Sequence, residues 1–220
     1  VVTARLGHME RTTGKTRKTG KIDSRDALIS AVRAGTRVRY LHFWGHRPLP
    51  DGRIGAGCLS QWWPSPFTVD GVEYATAEHW MMAAKARLFE DTAAERQVLA
   101  AGHPSLAKKA GRLVRGFDEA TWERERFGIV VEGSMHKFAA HAALREFLLG
   151  TGERSEMGVP PAEGCGRVLV EASPVDRVWG IGLAATDEGA GDPERWRGPN
   201  LLGFALMEAR GRLGSGAEGG

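Results

Sequence analysis

Apolar residues recur at steps of three and four through Tyr74–Phe89, the segment YATAEHWMMAAKARLF. Tyr74, Ala77, Met81, Ala84 and Leu88 make one stripe, the pattern of a helix packed on a core. A second stripe runs beside it through Glu78, Met82, Lys85 and Phe89. Thr76 is the natural N-cap, which sets Glu78 in the first turn, where a carboxylate suits the positive end of the helix dipole. Just before this segment, Phe67-Thr68-Val69 and Val72-Glu73-Tyr74 alternate around Asp70-Gly71, the pattern of a tight β-hairpin.

The same reasoning orders the rest of the chain. Ser24 or Asp23 caps an expected helix over Asp26–Ala34, closed by Gly35. Residues 38–44 alternate imperfectly and read as a strand, followed by a turn-rich loop. Cys58–Pro66 holds too much proline for a central strand and carries the adjacent pair Trp62 and Trp63. Adjacent side chains of extended chain face opposite ways, so one indole is expected in the core and the other on a cleft. Helices are expected at Thr92–Ala101, Ser105–Val114, Asp118–Phe138 and Ala139–Leu149. The third of these has a core stripe of Val131, Met135, Phe138 and Ala142. Glu153–Gly166 reads as a surface loop. Arg167–Ala172 is a clear strand, and Ser173–Gly182 a loop with two glycines. Asn200 then caps a last helix, Leu201–Leu213, with Leu202, Leu206, Ala209 and Leu213 inward. Helices dominate, strands are few, and no βαβ series appears. The expected fold is α+β, a single helix-rich domain with a few short strands and a hairpin.

Charge changes this picture only at one end. The chain has 220 residues and a net charge of +3, with a sequence pI near 9.1. Residues 1–21 hold six basic residues and one acid, a net of +5, so residues 22–220 sum to −2. The basicity therefore belongs to an apolar-poor tail, residues 1–22, expected to be disordered and able to hold a polyanion such as nucleic acid. Residues 23–213 make the expected domain and 214–220 a flexible Gly-rich end. Two cysteines without a CxxC pair, Cys58 and Cys165, argue against a disulfide scaffold or zinc ribbon and fit a reducing cytoplasm. Cys165 sits in a Gly-flanked loop. No apolar run approaches the roughly 20 residues of a spanning helix, so no membrane role is expected.

Two carboxylates stand out as candidate chemistry. Glu78 borders an expected cleft flanked by Met82 and Trp-rich segments, where burial can tune its proton affinity. Asp176 follows a strand end and precedes Trp179. The plainer readings are a helix-capping Glu and a turn-forming Asp after Ser-Pro. Together, the two acids and several indoles are the ingredients of a glycosidic hydrolysis site. One carboxyl moves a proton, the other steadies positive charge on the sugar, and an indole stacks on a flat base. Phosphate-loop, dinucleotide and nucleophile-elbow motifs are missing. His42 and His46, like His136 and His141, lack the HExxH form, so no metal and no cofactor are expected.

Several ordered blocks carry a resemblance. They are Tyr74–His79 with Lys85; Trp122 ahead of Met135 and Lys137-Phe138; Glu171-Ala172-Ser173-Pro174 with Asp176 and Trp179-Gly180-Ile181-Gly182; and Gly198–Gly203 with Leu206-Met207-Glu208 and Arg210. Together they resemble the NADAR (YbiA-like) family across roughly residues 40–213. The resemblance implies an N-glycosidase acting on a nucleotide-like small molecule. Two substrate classes follow from it: phosphoribosylamino-pyrimidine intermediates of riboflavin biosynthesis, and ADP-ribose on guanine in nucleic acid. A non-catalytic module that binds NAD or ADP-ribose is the alternative. Glu78 matches the family's Glu in its EH motif, Trp122 its aromatic, and Asp176 the acid before Trp-Gly. Lys85, Trp179 and Asn200 match recurring positions. Trp62 and Trp44 join Trp122 as candidate substrate contacts, with Lys85 or Arg47 expected at phosphate. The chain departs from the simplest members at Ser60-Gln61-Trp62-Trp63 and in the long loop Arg47–Gly57.

Overall fold

The computed structural model describes residues 21–152 and 166–216. The expected tail up to residue 20, most of the Glu153–Gly166 loop with Cys165, and residues 217–220 lie outside the described residues. Seven helices and four short strands are formed among the described residues. They are α1 Arg25–Arg33, β1 Tyr40–Phe43, β2 Phe67–Val69, β3 Val72–Tyr74, α2 Ala77–Leu88, α3 Thr92–Leu99, α4 Pro104–Arg112, α5 Glu119–Ala140, α6 Ala142–Gly150, β4 Val168–Glu171 and α7 Leu201–Ser215. The architecture is α+β and helix-rich, as the residue pattern predicts.

The expected hairpin is β2 and β3, paired antiparallel with Phe67 opposite Tyr74. Its turn residues Asp70 and Gly71 both have positive φ, at 50° and 79°, the geometry of the turn that matches strand twist. Tyr74 ends β3 instead of opening α2, so it leaves the helical stripe, yet its ring is buried against Phe67 and Trp80.

The other two strands form a pairing that local pattern does not reveal. β1 and β4 run parallel, Tyr40 beside Val168 through Phe43 beside Glu171. Parallel strands are buried on both faces, and β4 obeys this. Leu169 faces a large core shared by Phe43, Trp80, Met81, Val131, Phe138, Leu202 and Leu206. Val168 and Val170 face a second core with Leu28, Ile181, Trp196 and Phe204. Ile22, at the end of the expected tail, is buried in that second core.

Helix α2 packs against α3, α4 and α5, while α7 packs along α5 and against β4. Eight residues of α2 are buried, on more than one face. Where α2 crosses α5, Gly133 leaves room for the Trp80 ring, and the Trp80 indole donates to the Ile129 carbonyl at 2.9 Å.

Several expected boundaries move. The strand expected over 38–44 shortens to Tyr40–Phe43, because pairing with the four residues of β4 sets its length. Helix α5 continues through Ala140 and breaks at His141, whose backbone is extended. Ala142 therefore starts α6 and is exposed, outside the core stripe. Helix α7 runs on to Ser215, so the expected flexible end at 214 is helical at its start.

Asn200 precedes α7 as expected, but at φ 60° it makes no side-chain cap. Its amide instead accepts from the Glu171 N–H and donates to the Leu169 carbonyl, both at 2.9 Å. One residue thus pins the start of α7 to the end of β4. Gly203 permits this approach, since a Cβ there would sit 2.1 Å from the Leu169 oxygen and 2.4 Å from the Asn200 amide nitrogen. Gly203→Ala is therefore expected to destabilise the fold by about 1–3 kcal/mol, with a lower denaturation midpoint in urea as the measurement.

Candidate active site

The first turn of α2 is built from short-range contacts. The Thr76 side chain accepts from the His79 N–H and caps the helix. The His79 ring spans from the Thr76 hydroxyl at 2.8 Å to the Ala101 carbonyl at 2.9 Å. It is a buried strut tying this turn to the connection between α3 and α4. The Glu78 N–H donates to the Gln61 carbonyl at 3.0 Å, which draws the loop carrying Trp62 across the helix start.

That loop is itself anchored from below. Lys137 of α5 is fully buried, and its ammonium donates to the Cys58 and Ser60 carbonyls at 2.6 and 2.8 Å. Burial pushes its pKa down to about 7. Sequence alone places a lysine on a surface, so nothing in the pattern announced this role.

Glu78 is only 2% exposed. Burial pushes its carboxyl up from 4.5 to about 7, and Asp176 adds to the rise. Lys108 and Arg112 of α4 and the nearby Trp62 side chain oppose it. The positions 78 and 176, far apart along the chain, are thus brought into mutual electrostatic range. A third acid joins them. Glu171, the last residue of β4, is pushed up to about 8 by burial, then by Asp176, with Lys108 opposing and Glu78 adding. Among the described residues, Glu78 Oε1 and Glu171 Oε2 are both enclosed and take no protein hydrogen bond, and the side-chain amide of Gln61 is likewise buried and unpartnered.

The location follows from topology, because loops leaving the carboxyl ends of parallel strands are where open α/β sheets gather ligand groups. Here those loops are 44–47 after β1 and 172–182 after β4. His46 of the first packs on the Trp62 ring at 5.7 Å, and His103 meets the same ring edge-on at 5.8 Å. Of the adjacent indoles, Trp63 packs against the large core, while Trp62 takes this position near Glu78.

The other expected residues are spread more widely. Asp176 Oδ1 accepts from the Val178 and Trp179 N–H groups at 2.9 and 2.7 Å, so its turn-forming role is real. Trp179 packs against the large core, and its carbonyl accepts from the Leu202 N–H at 3.0 Å. Lys85 and Trp122 form a separate group further along α2. The Lys85 ammonium lies 4.2 Å from the Phe117 ring centroid and 5.4 Å from that of Trp122. Burial lowers its pKa and the Arg112 charge lowers it further. Arg112 therefore lies within electrostatic range of both this group and Glu78. Trp44 is 63% exposed and Arg47 is exposed on the same loop. Asn200 is fully buried with both amide atoms bonded to β4, which leaves it a positioning role.

Sequence reasoning missed Lys108 and Arg112, although their spacing of four on one helix was a usable signal. Glu171, within the Glu171–Pro174 block, carried no signal of a role of its own. Among the described residues, no group of three or more His, Cys, Asp or Glu is placed to hold a metal ion. No helix among them is long and apolar enough to cross a membrane.

Known proteins share sequence and fold with this chain. The family model for the NADAR domain matches residues 42–214. An N-glycosidase of Acanthamoeba polyphaga mimivirus is 36% identical over 178 residues, covering 78% of this chain and 95% of that protein. N-glycosidase YbiA of Escherichia coli is 31% identical over 148 residues, covering 67% and 76%. Among solved structures, the NMR structure of the E. coli protein YbiA matches with a TM-score of 0.60 at 24% identity, over 84% of this chain and 90% of that one. That last likeness is one of fold.

The raised Glu78 has a thermodynamic consequence. An unfolded Glu releases its proton near 4.5 while the folded one holds it to about 7, so the native state binds more protons across that window. Stability therefore falls as pH rises from 4.5 through 7. Glu78→Gln is expected to stabilise the protein by about 1–3 kcal/mol at pH 8, with the gain gone near pH 4.5. Thermal melts across this range measure it.

Proposed function

The chain belongs to the NADAR domain family, and from that premise we propose that it is an N-glycosidase hydrolysing a ribosyl N-glycosidic bond. The observation that carries the reading is that Glu78, Glu171 and Asp176 come within electrostatic range of one another from the start of α2 and the end of β4, with an enclosed oxygen on each glutamate. Carboxyls that keep a proton near neutral pH are suited to protonating a leaving nitrogen or taking a proton from water. A neighbouring carboxylate steadies the oxocarbenium-like sugar. The half-buried Trp62 ring offers a face for a flat base, a contact worth about 1–3 kcal/mol per stacked base.

The substrate class proposed first is a phosphoribosylamino-pyrimidine, cleaved to the free amine and ribose 5-phosphate. Lys108 and Arg112, with Lys85 beyond them, supply the positive charge that a phosphate calls for. The N-glycosidase names of the mimivirus and E. coli relatives support the bond type. A second reading keeps the bond and changes its setting to ADP-ribosyl-guanine in nucleic acid. The net charge of +5 over residues 1–21 favours it. We place the working protein in the cytoplasm.

Incubation with phosphoribosyl amines, NAD, ADP-ribose and ADP-ribosylated guanine, read by mass spectrometry, tests the assignment. Release of a free base is the expected result. Glu78→Gln is expected to lower kcat by about 100- to 10,000-fold while circular dichroism stays native. A folded variant at the wild-type rate would remove Glu78 from the mechanism, and intact recovery of every compound would leave a binding module.

A further inference from the structure

We infer that Glu171 is the proton donor to the leaving nitrogen, that Glu78 is its carboxylate partner, and that Asp176 organises the loop between them instead of meeting the sugar. This rests on the N-glycosidase reading above and divides the roles within it.

Asp176 is already employed. Its Oδ1 takes the Val178 and Trp179 N–H groups, and its own N–H donates to the Ser173 hydroxyl at 3.1 Å. A carboxylate oxygen holding two backbone donors shapes its own turn. Glu171, by contrast, has a fixed origin and an uncommitted head. Its N–H is held by Asn200 at 2.9 Å, its carbonyl accepts from Ile181 at 2.9 Å, and the next N–H, of Ala172, donates to the Phe43 carbonyl at 2.9 Å. Among the described residues, the carboxyl beyond this locked backbone has, like that of Glu78, an enclosed oxygen without a donor. Such an oxygen is costly for a charged group and tolerable for a neutral one.

The surroundings of the two glutamates differ in balance. Facing Glu78 are Lys108 and Arg112 from α4, Trp62 from its loop and the helix end in whose first turn it sits, all favouring the carboxylate, against Asp176 and Glu171. Facing Glu171 are Asp176 and Glu78, both favouring the acid, against Lys108 alone. Burial raises both carboxyls, and the Arg112 charge and the α2 helix end make Glu78 the one to ionise first, which divides acid from base. In the step, the C1′–N bond breaks with its electron pair going to nitrogen, which takes the Glu171 proton. Water adds its oxygen to C1′ and gives a proton to Glu78. Exchange with solvent then returns both carboxyls to their starting forms.

Leaving-group dependence tests the assignment. A phosphoribosylamino-pyrimidine needs protonation to leave, whereas nicotinamide mononucleotide already carries a cationic leaving group. Glu171→Gln is expected to lower kcat on the first by about 100- to 10,000-fold and on the second by less than about threefold, while Glu78→Gln lowers both. The wild-type alkaline fall in kcat should vanish in Glu171→Gln and move to lower pH in Asp176→Asn. Equal losses on the two probes, or a kcat within twofold of wild type, overturn the inference. If Glu171→Gln does not fold, Asp176→Asn decides: an unmoved alkaline limb overturns it. If the wild type cleaves neither probe, the N-glycosidase reading fails separately, and a carbon-13 titration of labelled glutamates in substrate-free protein takes over. Glu171, assigned by difference from Glu78→Gln, must then ionise at the higher pH of the two, and the reverse order refutes the assignment.

Discussion

The organising constraint is the enclosure of one carboxyl group in the first turn of α2. Keeping Glu78 from water requires a wall on each side. The hairpin delivers the chain, the Gln61 carbonyl closes over the helix start, and α4 and α5 pack along the helix. The capped helix end moderates the electrostatic cost, because an acid near a helix N-terminus meets the positive end of the dipole. What burial costs in stability it returns as a group able to exchange protons near neutrality.

Much of this was legible because it is local. The hairpin, the Thr76 cap and the inward face of α7 each follow from a few neighbouring residues. The β1–β4 pairing was not, since a parallel partner is chosen by packing on both faces and leaves no turn between the strands. Asp176 read equally as a turn former or a catalytic acid, and its Oδ1 bonds give the turn reading substance. Glu171 looked like the polar end of a strand, and its carboxyl oxygen is enclosed by tertiary packing that leaves no local pattern. Asn200 gave a helix-cap signal at the right position, but its amide serves the neighbouring strand.

Lys137 is the clearest case of tertiary override. A lysine without a carboxylate partner sits in the interior, satisfied by two carbonyls, and burial brings its pKa down to about 7. Its two bonds hold a tight turn that has little regular structure of its own, Ala56–Leu59. The rigid α5 thereby fixes the stretch leading to Trp62, giving the site one wall supported by a helix instead of a free loop.

The parallel register of Tyr40 beside Val168 joins points 128 residues apart in the chain. Contacts between such distant segments must overcome the entropy of closing a long loop before they return any energy. The helices between them draw on nearby partners and can condense early. The three acids, one from the start of α2 and two from the end of β4 and its loop, are expected to gather late in folding, so the costly charge cluster is assembled only after the scaffold that can bear it exists.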